Sequence, residues 1–131
     1  MDFKDLMVGD LVYVVRGYDK HLTIEKIKGV IKDEDKPYPV TIFTGETVSL
    51  NDIKPIPLTE GILDKNSIKI SSFTGTLYWF DEDEHCCVKP IEDRFMFMYS
   101  KGVDYLTFRI TYVHQLQHLL RLVGVQKEIE L

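Results

Sequence analysis

The chain has 131 residues, 44% of them hydrophobic, which is enough to fill one core and too few for two full domains. Its formal net charge of −5 is spread evenly over both halves. That balance repels phosphate backbones and falls short of nucleic-acid mimicry, so nucleic-acid binding would need a local patch. Nowhere do the ~18 apolar residues of a membrane span run together, and Asp2, Lys4, Asp5 and Asp10 interrupt the opening stretch, so neither a leader nor a membrane span is expected. The adjacent Cys86 and Cys87 could pair only through a strained ring, which points to free thiols and a reducing, cytoplasmic setting.

The first third reads as short strands. Leu11 to Val15 is an apolar run entered through Gly9-Asp10 and left through Arg16-Gly17-Tyr18-Asp19. Leu22 to Glu25 alternates, Lys28-Gly29 reads as a break, and Val30-Ile31 resumes before a charged loop from Lys32 to Lys36. Val40 to Phe43 and Thr47 to Leu50 flank Thr44-Gly45-Glu46, a connection suited to a hairpin. Several short strands in so little chain predict a small SH3-like β-barrel or a curled sheet, between which composition does not distinguish. From Asn51 to Pro57 two prolines remove ladder donors, so this stretch is expected to leave the sheet and run extended, an internal boundary between residues 1–57 and 58–131 of one domain.

The second half opens with a short helix, Glu60 to about Lys65, capped by Thr59 and weakened by Gly61. Five strands follow, at Ser67 to Ser72, Thr76 to Phe80, Cys86 to Ile91, Arg94 to Tyr99 and Asp104 to Phe108. Phe95, Phe97 and Tyr99 alternate with Met96 and Met98, which predicts a central strand covered on both faces. Over Ile110 to Val123 the period changes to that of a helix, with Tyr112, Val113, Leu116, Leu119, Leu120 and Val123 on one arc, and Gly124 ends it. Lys127 to Leu131 alternates and reads as a short edge strand. The fold class is therefore α+β, an SH3-like module joined to an antiparallel sheet covered by a C-terminal helix.

Three segments carry a family resemblance: Asp52-Ile53-Lys54-Pro55-Ile56-Pro57-Leu58-Thr59, Tyr112-Val113-His114-Gln115-Leu116-Gln117, and Gly124 to Leu131. In these the chain resembles a group of small proteins from Bacteroidetes genomes and their phages or prophages, to which no activity is assigned. The pattern departs at Gly61, where the group has glutamate, and at Ser67-Ile68, where it has Gly-Phe. The resemblance implies an accessory product of a mobile element.

Four constellations bear on chemistry. His114 and His118, four residues apart on the helix, share a face as metal-binding pairs do, but they lack a third ligand and stand beside Arg121. With Gln117 they read instead as a partner-facing polar face: His114, Gln117, His118 and Arg121. His85-Cys86-Cys87 lacks the Cys-x-x-Cys spacing of zinc sites, and its thiols point to opposite faces of a strand, one buried and one partly exposed. Asp81-Glu82-Asp83-Glu84 has no spacers or glycine for calcium and reads as a solvated hairpin tip. Lys26, Lys28, Lys32 and Lys36 form the one candidate basic patch.

No P-loop, dinucleotide fingerprint, nucleophile elbow or zinc-protease motif occurs. The expectation is a non-enzymatic protein-interaction or accessory protein without metal or cofactor, its partner a protein. A nucleic-acid-associated protein using the lysine patch is the first alternative, and a small hydrolase or metal protein using His114 and His118 the second.

Overall fold

The computed structural model describes residues 6–30 and 40–131. Over these residues it is mixed α+β, with two antiparallel five-stranded sheets and two α-helices. The chain divides into two compact units, Met1–Ile56 and Pro57–Leu131, one residue before the boundary expected from Pro57.

In the first unit β1 (Leu11–Arg16), β2 (His21–Val30), β3 (Val40–Ile42), β4 (Thr47–Val48) and β5 (Ile53–Pro55) lie in the order β4-β3-β2-β1-β5. No ladder joins β4 to β5 among the described residues, so the sheet is open there. Lys28-Gly29 does not end a strand as expected. β2 runs through it, and the register with β3 shifts between Ile27 and Gly29, the signature of a bulge. The expected loop from Lys32 to Lys36 lies outside the described residues.

Asn51 to Pro57 also departs from expectation. Leu50–Asp52 forms a 3₁₀ turn, capped by the Ser49 hydroxyl accepting from the Asn51 amide, and β5 then pairs with β1 from Ile53↔Val14 to Pro55↔Val12. Proline is tolerated because β5 is an edge and Pro55 need give no donor outward. The core under this sheet joins Leu6, Val12, Val14, Ile27, Val40, Ile42, Val48 and Ile53, with apolar side chains recurring at alternate positions along the strands.

In the second unit α1 (Glu60–Asn66) begins where the Thr59 hydroxyl accepts from the Ile62 amide at 3.2 Å. A meander follows: β6 (Ile68–Ser72), β7 (Gly75–Trp79), β8 (Cys86–Ile91), β9 (Arg94–Lys101) and β10 (Asp104–Ile110), in the order β10-β9-β8-β7-β6. The middle strand is β8, where Cys86, Cys87 and Val88 are buried in succession and so on both faces. The aromatic strand β9 lies one place out, with Phe97 buried and Met96 and Met98 half-buried. Alternating apolar residues mark a two-sided strand, but rank in the sheet comes from the order of pairing.

After β10, α2 (Val113–Leu122) starts with the Gln115 side-chain oxygen accepting from the Thr111 and Tyr112 amides, at 2.7 and 3.0 Å. It ends at Gly124, whose φ of +82° admits the turn in which the Val125 amide reaches back to the Leu120 carbonyl. The last segment is not an edge strand. Ile129 is buried, and the Asn66 side chain holds the chain on both sides, donating to the Glu130 carbonyl and accepting from the Glu130 amide at 2.7 Å each. Lys65 adds a bond to the Leu131 carbonyl at 2.7 Å. No described helix is long and apolar enough to cross a membrane.

Candidate interaction surface

α2 carries the residues expected to face a partner, and its burial is rotated away from that expectation. His114 and Gln117 are buried beside Val113, Leu116 and Leu120, while Leu119 is only half-buried. The Tyr112 ring stacks on His114 at 5.8 Å, and the His118 ring meets His114 edge-on at 5.5 Å. His114 is thus a packed ring between two aromatic neighbours. His118 is half-buried, and of the four residues only Arg121 is exposed. Hydropathy placed imidazole and amide outside because it scores polarity, whereas a flat ring at the margin of an apolar stripe packs as readily as leucine.

Cys86 and Cys87 are both buried, in place of the one buried and one partly exposed thiol expected, because β8 is covered on each face. Burial, with the Asp81 carboxylate adding to it, pushes the Cys86 thiol up to about 12 and the Cys87 thiol up to about 11. Neither is poised as a thiolate nucleophile.

Asp81 departs from the solvated tip expected for its tetrad: its carboxylate accepts from the His85 amide at 3.0 and 3.1 Å and from the Cys86 amide at 3.0 Å. It organises the β7–β8 connection and lies 3.4 Å from the His85 ring, while Glu82, Asp83 and Glu84 are exposed. Of the lysine patch, Lys26 lies over the Phe43 ring at 5.7 Å, and Lys32 and Lys36 are outside the described residues. Among the described residues no three His, Cys, Asp or Glu side chains converge as a metal site would require.

The surface that composition did not reveal lies at the β6 side of the second sheet. All five residues of β6 are exposed, Ile68 and Ile70 among them, and the β6–β7 turn lifts Phe73 fully into solvent. Gly75 closes that turn with a φ of +125°, a backbone angle that side-chain-bearing residues rarely adopt. At the start of β6, where Ile68 pairs with Trp79, a cleft of about 330 Å³ opens. Ile68, Trp79 and Phe80 give it apolar walls, and Lys65, Lys127 and Glu82 bring charges of both signs. Asn66, which holds the C-terminal segment, also lines it. The sequence signal for this site was the chain's one tryptophan on the strand that pairs with an isoleucine-rich edge.

No family model matches the chain, and neither a curated protein nor a solved structure is similar to it.

Proposed function

We propose that this chain is a non-enzymatic interaction protein that captures an extended segment of a protein partner on the β6 edge, seating one side chain in the Trp79 cleft. The observation that carries the reading is the conjunction of an edge strand exposed at every residue with an aromatic-walled cleft at its first residue. An edge strand offers a row of backbone donors and acceptors, and a pocket beside it adds side-chain selectivity, which is how peptides add to sheets. The two buried thiols, whose pKa values are pushed well above neutral, are consistent with a binding role, since neither is set up as a nucleophile.

The strand order of the first unit, with a 3₁₀ turn before β5, supports the SH3-like reading of that half. So does Arg16 at the end of β1, which bridges to Glu25 on β2 and to Glu46 beyond β3. The resemblance to phage and prophage proteins extends the proposal to an accessory product of a bacterial mobile element that acts in the cytoplasm.

Selection from a random peptide library tests the function, with binding read from the emission of Trp79. Selected peptides should shift that emission for the natural chain, and Ile68→Lys, at a half-exposed position, should abolish the shift without unfolding the protein. Failure to select any peptide, or binding indifferent to Ile68→Lys, overturns the reading.

A further inference from the structure

The opposite edge of the same sheet has a different character. Among the described residues β10 pairs with β9 alone, and from Asp104 to Arg109 every residue but Leu106 is exposed, with Tyr105 and Phe108 among the large apolar side chains in solvent. The available edge is bounded. At its end Leu58 donates to the Thr111 carbonyl and Pro57 bridges to Tyr112, so the backbone beyond Ile110 is already engaged.

We propose that β10 is a homodimer interface, in which two copies of this chain pair antiparallel about a two-fold axis at Thr107 and merge their sheets into one. The register follows from symmetry and from the sequence together. A two-fold axis normal to a sheet keeps each side chain on its own face, and residues opposite one another must share a face, so the axis must pass beside a residue that meets its own copy. Centring on Thr107 pairs all seven residues of β10, whereas any other centre leaves strand residues unpaired or calls on Thr111 and Tyr112.

In that register Leu106 faces Phe108 twice, covering the half-exposed ring of Phe108 with an aliphatic side chain. On the other face Tyr105 meets Arg109 twice, a cation over an aromatic ring, and Thr107 meets Thr107, a pair suited to a hydroxyl–hydroxyl bond. Asp104 falls opposite Ile110 at the ends, so no two like charges meet across the axis. A self-complementary strand of this kind needs no foreign partner. The β6 edge is less self-complementary, because self-pairing there would set Ile70 against its own copy but place Ile68 opposite Ser72 and Lys69 opposite Ser71, with none of the reciprocal aromatic pairs of β10.

The register makes a test that only self-pairing passes. Sedimentation of the full chain over a wide concentration range should show a monomer–dimer equilibrium. Thr107→Lys and Thr107→Glu each place like charges on the axis, and each should weaken the dimer by about 5- to 10-fold. Mixed in equal amounts, the two variants should recover it as a heterodimer, which also shows that both are folded. A natural chain that stays monomeric overturns the proposal, as does a dimer that neither variant weakens or a mixture that does not recover. The peptide-binding test on β6 is read from Trp79 and is unaffected by any of these outcomes.

Discussion

The two sheets handle their edges in opposite ways. The first ends in β4, two residues long, and β5, three residues long and closed by Pro55, so little backbone is left for another chain to pair with. The second ends in β6 and β10, five and seven residues long, which carry Ile68, Ile70, Tyr105 and Phe108 in solvent. Shortness and proline are the usual protections against edge-to-edge association. The two proposed association surfaces both lie on the second sheet, whose edges have neither protection.

The comparison can be broken or sharpened by experiment, starting with the largest effect. Phe97→Ala removes a fully buried ring from the second sheet and should cost about 3–5 kcal/mol in chemical denaturation. A cost near zero would mean that this sheet is held by its edges and not by its core.

Alkali should separate the sheets next. Cys86 and Cys87 are pushed up to about 12 and about 11, and Tyr78, raised by burial and then by Glu60, to about 12. All three sit on the second sheet. A group with a raised pKa holds its proton longer in the folded state, so its contribution is complete below the ordinary thiol value of 9.0 and is lost as pH rises through 11 and 12. The melting temperature should therefore be flat at neutral pH and fall above about pH 9. In parallel, both thiols should resist alkylation in the native protein and react after denaturation.

Asn66→Ala should cost about 1–3 kcal/mol, because it leaves the Glu130 amide and carbonyl without the amide that holds them. Proteolysis within Lys127 to Leu131 should then become fast. On the first sheet Arg16→Ala should cost under about 1 kcal/mol, with the loss shrinking as salt is added, since Arg16 and Glu46 are partly exposed. The smallest effect is the most telling: Ile70→Lys and Thr107→Lys should change stability by no more than about 0.5 kcal/mol while altering association. If either unfolds the protein, that edge is part of the core and the contrast between the sheets fails.

Local chemistry made much of this fold legible in the residues themselves. The Thr59 cap, the alternation along the strands, the glycine that ends α2 and the change of period after Ile110 each act within a few residues of chain, so each could be read there. What depended on distant partners could not. Tertiary pairing decided that β5 rejoins β1 in spite of Pro55, that β8 and not β9 lies in the middle, and that Lys127 to Leu131 docks on Asn66 instead of forming a strand. It also turned His114 and Gln117 inward and brought Trp79 beside Ile68. The physical reason is the same in each case. A residue's polarity and spacing are properties of the chain, whereas burial, rank within a sheet and the walls of a cleft depend on which other segments arrive beside it.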